Sequence, residues 1–299
     1  MNKIILVTGG TGYIGSNLIK ELVNRGHKII AIYNNSKPLR FDNNILWVKY
    51  DGSFSSLETI EGEIDIIVHL ATMFTPKHSI ELIDNMILSN ILFGVHLLEF
   101  AKVRGIRNFI NTSTYAQSID HSEYNPQNFY TATKQAFEDI VKFYSDSGIV
   151  TNITLSLSDT YGPRDTRPKF INLVINAFGK NEVFNMSPGN QKINYVYIDD
   201  VVEAFCTAIN LLLYEKIQKS KKFSVYGDES ITLNELVKHI TVILNEDLKT
   251  NPGFYPYRDR EIMDPQPKFE RIPNWYPKYK LADGINQIIQ DNENIRNKN

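Results

Sequence analysis

The stretch Lys3-Ile4-Ile5-Leu6-Val7-Thr8-Gly9-Gly10-Thr11-Gly12-Tyr13-Ile14-Gly15 leaves this chain few folds to choose from. An apolar run of strand type ends in a turn with glycines at 9, 12 and 15. A helical pattern of Ile14, Leu18, Ile19, Leu22 and Val23 follows. In that context Gly9 makes the tight turn, Gly12 lets backbone approach a pyrophosphate, and Gly15 lets the helix pack close to the strand. The helix start adds unpaired N–H groups and the positive end of its dipole, so Gly9, Thr11, Gly12, Tyr13 and Ile14 are the expected phosphate cradle. A strand-to-helix turn without a ligand has the same pattern; the second strand-type run at Lys28–Tyr33 favours the dinucleotide.

Strand-type and helical runs alternate as far as Leu157. The strand-type runs are Ile4–Thr8, Lys28–Tyr33, Ile45–Tyr50, Asp65–Leu70, Asn108–Ser113 and Thr151–Leu157. Helical stretches lie at Gly12–Arg25, about Ile80–Arg104 and about Phe129–Ser147. This is the pattern of an α/β fold with a doubly wound parallel sheet and helices on both faces. The 299 residues suit such a domain, expected over 1–165, and a smaller α/β substrate-binding part mainly over 166–299, with segments near 190–226 returning to the first. A net charge of −2 excludes an electrostatic footprint for nucleic acid. The single cysteine, Cys206, sits in an apolar helical run and reads as a core residue. No apolar run is expected to reach the length of a membrane span, and the first strand begins too early for a cleaved signal. Together these point to the cytoplasm. No group of histidines and acids stands at metal-ligand spacing, so no metal is expected.

The end of the second strand bears on the cofactor. A fold of this kind that prefers NAD puts an acid there for the ribose hydroxyls. Here the strand ends Tyr33-Asn34-Asn35-Ser36-Lys37, Arg40 follows, and no carboxylate appears before Asp42. Asn34, Ser36, Lys37 and Arg40 can hold a 2′-phosphate, which favours NADP(H), with NAD(H) possible. Ordinary solvated loop charges would look the same.

The chemistry is expected beyond the fifth strand, which ends Asn111-Thr112-Ser113-Thr114. Tyr130 and Lys134 come next, at i and i+4 on one helix face. An ammonium beside a phenol favours the phenolate and should lower the phenol's pKa, leaving Tyr130 a usable proton donor or acceptor. The same Y-x-x-x-K spacing recurs at Tyr33 and at Tyr276, but the first lies at a strand end and the second is interrupted by Pro277. Thr114, with Ser113 as runner-up, can hydrogen-bond the same substrate oxygen.

With the glycine turn and the Tyr130/Lys134 pair in register, the chain resembles the extended short-chain dehydrogenase/reductases, the NAD-dependent epimerase/dehydratase family with a Rossmann-type sheet. The resemblance implies that Asp51-Gly52 caps the adenine and that the backbone of Leu70-Ala71, after His69, borders the cofactor. It implies that Asn90 supports the active-site lysine, that Lys134 also holds the nicotinamide ribose, and that Thr114 is the Ser/Thr of the catalytic set. Tyr115-Ala116 stand where 4,6-dehydratases carry Asp-Glu, which argues against that elimination and for reduction or 4-epimerisation. Expected substrate contacts are Thr72, Thr114, Tyr115, Asp159, Lys169, Gln191 and Arg258. Ile193 stands where an arginine often contacts the substrate phosphates, and Asp159 where an asparagine is usual.

The missing acid near Tyr33, the short gap from Thr114 to Tyr130 and the segment Arg258–Met263 resemble the compact branch of nucleotide-sugar 4-ketoreductases. That branch implies NADPH-dependent reduction of the C4 ketone of a CDP- or dTDP-linked 4-dehydro-6-deoxyhexose. One alternative is a 4-epimerase that keeps NAD tightly bound. Another is an NADP(H)-binding sensor or scaffold without turnover. The resemblance also implies a homodimer through the helices that hold Asn90 and Tyr130, with Phe93, Leu97, Phe137 and Phe143 on their outer faces; the same residues could instead face the sheet.

Overall fold

In the computed structural model, β1 (Ile4–Thr8) turns at Gly9 into α1 (Tyr13–Asn24). The structure describes residues 2–36, 42–120, 122–180, 182–215, 217 and 220–296, the side chains of 295 and 296 excepted. Next come β2 (Lys28–Tyr33), β3 (Ile45–Lys49), the short α2 (Ser55–Glu58) and β4 (Ile66–His69). One continuous helix follows, made of α3 (Ile80–Ile87), a π-helical turn (Leu88–Leu92) and α4 (Phe93–Arg104). Then come β5 (Asn108–Thr114), α5 (Phe129–Asp146) and β6 (Thr151–Leu157). The later elements are β7 (Asp159–Tyr161), α6 (Phe170–Ala177), β8 (Phe184–Met186), β9 (Lys192–Tyr197) and α7 (Ile198–Asn210). After them stand β10 (Lys221–Val225), β11 (Ser230–Thr232), α8 (Leu233–Leu244), β12 (Thr250–Pro252) and α9 (Leu281–Arg296).

Among the described residues, seven strands form one sheet in the order β10-β6-β5-β4-β1-β2-β3, and every pairing in it is parallel. The strand order reverses between β1 and β4, the switch point outside which such sheets bind ligands. β10 joins the sheet beside β6. Two small sheets, β11-β9-β7 and β12-β8, stand apart from it.

Side chains alternate across the sheet, so neighbouring residues of one strand enter different cores. Ile5 and Val7 pack with Leu18 and Leu22 of α1 and Phe205 of α7. Leu6, Ile67 and Phe109 pack with Leu97 and Phe100 of α4 and Phe137 of α5. Burial on both faces is the reason the strands read as continuous apolar runs.

Two expectations are corrected here. By length and composition alone, the helix from Ile80 to Arg104 is long and apolar enough to cross a membrane. Asp84, Asn85, Asn90 and His96 break the run in the sequence and concealed it. In the fold Phe93, Leu97, Leu98 and Phe100 of this helix are core residues. For the same reason Phe93, Leu97 and Phe137 are not on outer faces: all three are buried against the sheet, whereas Phe143 is exposed. The helical period instead turns Ile87, Leu88 and Leu92 outward.

The two helices that carry the candidate chemistry meet at Gly94. A Cβ built there would lie 2.2 Å from Cε2 of Phe137, so glycine sets how closely α4 and α5 approach. Gly94→Ala has to displace a fully buried ring and should lower the unfolding free energy by about 1–3 kcal/mol. Urea denaturation checks this; wild-type stability would mean that Phe137 has room to move.

Candidate active site

The glycine turn occupies the switch point. Gly9 takes a left-handed φ of +68°, and a Cβ on it would stand 2.8 Å from the backbone nitrogen of Ala71. A Cβ on Gly15 would lie 2.2 Å from the carbonyl oxygen of Gly9. Gly12 caps α1 without a side-chain hydrogen bond, so the first N–H groups of α1 have no side-chain cap. A cradle that side chains would fill, under an uncapped helix start, fits a dinucleotide pyrophosphate. Ile14 packs on the core beside it. Tyr13 donates to the carbonyl of Pro163 at 3.2 Å, and the Arg167 guanidinium lies 4.6 Å from the centre of its ring.

Thr8, the last residue of β1, ties the turn to the end of β4. Its Oγ1 accepts from the backbone N–H of Leu70 and of Ala71, each at 3.1 Å, and lies 2.8 Å from Nδ1 of His69. With two donors already on the hydroxyl oxygen, its own proton goes to Nδ1, which leaves the histidine proton on Nε2. Burial, with Lys134 nearby, holds His69 down at about 3, so the ring is neutral. His69 is therefore a buried structural group.

Other expected cofactor residues lie around this cradle. Asn34 and Ser36 are exposed just past the end of β2. Lys37 and Arg40 lie outside the described residues. Asp51 is exposed and accepts from the N–H and the hydroxyl of Ser53, at 2.8 and 2.6 Å, which holds its carboxyl below the usual range. Gly52, with φ of +101°, completes that turn.

The Tyr130 helix starts from a reciprocal cap. Asn128 Oδ1 accepts from the N–H of Thr131, and Thr131 Oγ1 accepts from the N–H of Asn128, both at 3.0 Å. Tyr130 thus lies in the first turn of α5, with Lys134 one turn along. The expected lowering of the phenol is not what this environment does. Burial raises the Tyr130 pKa, and a hydrogen bond with the Thr72 side chain opposes the rise only in part. Lys134 is itself buried, which lowers it from 10.5 to about 8 despite the opposing charge of Glu138. Desolvation outweighs the pairwise field for both groups.

At the end of β5 the two candidate hydroxyls part company. Ser113 is buried and donates to Gln117 Oε1 at 2.5 Å, whereas Thr114 is half-buried and caps the following turn. Gln117 donates onward to Glu138 at 3.0 Å, and Glu138 pairs with Lys222. Of the two, Thr114 is the more exposed, its Oγ1 accepting from the N–H of Ala116 at 3.4 Å.

Asn90 lies in the π-helical turn and is 1% exposed. Its Oδ1 accepts from Thr72 Oγ1 at 3.0 Å and from the Met73 N–H at 2.7 Å. Its Nδ2 donates to the Met73 carbonyl at 3.0 Å and to Thr133 Oγ1 at 2.9 Å. Every hydrogen-bonding position of the amide is taken. Asn90, which the resemblance makes a support of the active-site lysine, ties the loop after β4 to α5, because a buried amide in an apolar helix must find its partners within the protein.

The substrate-side residues gather near that loop. Lys169 Nζ lies 2.6 Å from Asp159 Oδ1, and the Tyr115 hydroxyl donates to Asp159 Oδ2 at 2.8 Å. Burial alone would raise the Asp159 carboxyl, but Lys169 and Tyr115 together hold it below its ordinary value. The carboxylate that stands where an asparagine is usual is thus already paired. Lys169 also stands 5.9 Å from the centre of the Phe74 ring, which meets Tyr130 edge-on at 5.0 Å. The late arginine segment approaches from the far side: Ile262 and Tyr115 line one cavity of about 250 Å³. Arg258 is exposed, its N–H donating to Glu261 at 3.3 Å. Gln191 is buried; its amide donates to Ser187 at 2.8 Å and its oxygen has no partner. The sequence did not single out Phe74 or the Ser113–Gln117–Glu138–Lys222 chain. A lone aromatic in a polar loop has no period to betray it, and the chain joins residues far apart in sequence.

Comparison with known proteins follows this geometry. Residues 5–222 match the model of the NAD dependent epimerase/dehydratase family. The chain is similar to the CDP-abequose synthase of Yersinia pseudotuberculosis, 29% identical over 293 residues, covering 96% of this chain and 99% of that one. It is also similar to the dTDP-4-dehydro-6-deoxyglucose reductase of Escherichia coli, 26% identical over 315 residues and covering 96% of each. Among solved structures, the UDP-glucose 4-epimerase of Thermus thermophilus in complex with NAD superposes with a TM-score of 0.80 at 22% identity. That match covers 96% of this chain and 98% of the other, and it shows a shared fold.

The buried ammonium makes stability depend on pH. With a folded pKa of about 8 against 10.5, Lys134 costs the folded state about 3 kcal/mol below pH 8. The cost is relieved between 8 and 10.5, where the folded state has released its proton and the unfolded chain still holds it. Lys134→Met should therefore unfold at a higher temperature than the wild type at pH 7, with the gap closing toward pH 10. Scanning calorimetry across that range checks it; a methionine variant less stable at pH 7 would contradict the assignment.

Proposed function

This chain belongs to the NAD dependent epimerase/dehydratase family, and we propose that it reduces the C4 ketone of a nucleotide-linked 4-dehydro-6-deoxyhexose with NADPH. The observation that carries this reading is a protonated phenol on a capped helix start, one turn before a buried lysine, with Tyr115-Ala116 at the place where elimination needs acids. A bound nicotinamide dinucleotide supplies the hydride that reaches the ketone carbon. Tyr130, protonated at neutral pH, gives its proton to the C4 oxygen as charge develops there. Thr114 orients and polarises that oxygen, and Lys134 places a positive charge nearby and holds the nicotinamide ribose. Tyr115-Ala116 offer no carboxylate to remove a C5 proton, which favours reduction over dehydration.

Further support comes from the relatives, one named as a reductase of a dTDP-linked 4-dehydro-6-deoxy sugar and one as a synthase of a CDP-sugar. The absence of a carboxylate in Tyr33–Ser36 favours NADP(H) over NAD(H). Residues 1–165 would hold the cofactor and 166–299 most of the nucleotide sugar. The free, buried Cys206 suits work in the cytoplasm.

Stopped-flow absorbance at 340 nm with CDP-, dTDP-, UDP- and GDP-linked 4-keto-6-deoxyhexoses tests the reading. At least one should consume NADPH. Tyr130→Phe should slow that reaction by roughly 10²–10⁴-fold while NADPH still binds, as read by its fluorescence. Interconversion of sugars without added cofactor would identify a 4-epimerase. Cofactor binding with no turnover of any of these sugars would favour a sensor.

We also propose a homodimer, with the exposed Ile87, Leu88, Leu92 and Phe143 as the covered surface. Leu88→Asp should convert a dimer to a monomer in sedimentation velocity. A wild type that stays monomeric at high concentration would remove the idea.

A further inference from the structure

Phe74 leaves 58% of its surface open at the rim of the Tyr130 site. It is nonetheless held firmly. Asn90 clamps both backbone groups of the preceding residue, Met73, at 2.7 and 3.0 Å. The ring meets Tyr130 edge-on, with centres 5.0 Å apart and planes at 89°. With its edge contact to Tyr130 in place, the ring still has open apolar surface beside the Tyr130 site, which a bound apolar group can cover.

The chemistry of a 4-ketohexose says which group that is. With the C4 oxygen at the Tyr130 hydroxyl, the next ring carbon is C5, and C5 carries C6. We propose that Phe74 is the residue that selects a C6 methyl over a C6 hydroxymethyl. The inference rests on the ketoreductase reading above and adds to it the source of the deoxy-sugar preference. A methyl lies on the ring and removes apolar surface from water. A hydroxymethyl in the same place gives up water over the ring. Thr72 is bonded to Asn90, Asn90 is filled, and the Lys169 ammonium, tied to Asp159 at 2.6 Å, lies 5.9 Å from the ring centre. A polar group that loses water without a new partner is disfavoured.

The test runs the reaction backwards, following NADP⁺ reduction at 340 nm. The substrates are nucleotide-linked 6-deoxyhexoses and the matching 6-hydroxy hexoses, in both C4 configurations. Wild type should favour the 6-deoxy sugar by roughly 10–100-fold in kcat/KM. Phe74→Ala and Phe74→Ser should bring the two sugars within a few-fold, mainly by losing 6-deoxy activity, whereas Phe74→Leu should keep most of the preference. The KM for NADP⁺ and the melting temperature should stay near wild type, since the ring is exposed. An unchanged preference in Phe74→Ala overturns the proposal, as does a loss that appears only in the KM for NADP⁺. In both cases the reductase reading stands. If wild type turns over neither sugar in either direction, the reductase reading fails and this inference falls with it.

Discussion

The Thr8 hydroxyl stands where β1 and β4 part, and the site is built outward from it. Two backbone amides and one imidazole converge on a single oxygen, which fixes the ends of both strands in relation to each other. His69, held by that contact, is wedged edge-on between Phe93 and Phe137, with centres 5.6 and 5.3 Å away. Those rings belong to the two helices that carry Asn90 and Lys134. The glycine turn and the tyrosine helix, more than a hundred residues apart in sequence, are thereby linked through one hydroxyl and one neutral ring. A charged imidazole here would face Lys134 inside the core, which is the reason burial and ammonium both press His69 toward neutrality.

A second constraint is that the fold buries an ammonium with little to offset it. Lys134 receives only partial support from Glu138, which is shared with Gln117 and Lys222. Such a group survives where surrounding structure overdetermines it, and such strain collects at functional sites. The Ser113–Gln117–Glu138–Lys222 chain is that surrounding structure. It anchors the end of β5, the turn after it and the middle of α5 to β10, the far strand of the sheet. β10 thus bears on the geometry of a site to which it gives no contact.

Much of this was legible in the sequence. The parallel sheet was readable because its strands are buried on both faces and its helices keep a clean period. The Gly9–Gly15 turn and Tyr130–Lys134 were readable because both are local patterns with a fixed spacing. The sign of the Tyr130 shift was not, because burial is a property of the assembled fold and no i,i+4 spacing reports it. The inward facing of Phe93, Leu97 and Phe137 was not legible because α4 is apolar around much of its circumference and α5 carries phenylalanines on both its inner and its outer side, so only packing chooses between them. The partners of Asn90 lie in loop and helix positions that nothing in the local sequence connects to it.

The π-helical turn around Asn90 shows how the pieces constrain one another. A π-turn inserts one residue into the helical repeat and shifts the side-chain phase beyond it. Here the turn lies between α3, whose Ile80 and Ile87 face outward, and α4, whose Phe93 and Leu97 face the core. The phase shift lets one helix do both and places an amide at the junction, pointing at the loop after β4. That loop carries Thr72 to the Tyr130 hydroxyl and Phe74 to its ring. Regularising the helix would rotate Asn90 away from Met73, and the loop would lose the clamp at both of its backbone groups. The surroundings of Tyr130 are therefore set as much by an irregularity in the neighbouring helix as by the tyrosine's own. A chain of this fold with an unbroken α-helix at that place would need another way to hold the same loop.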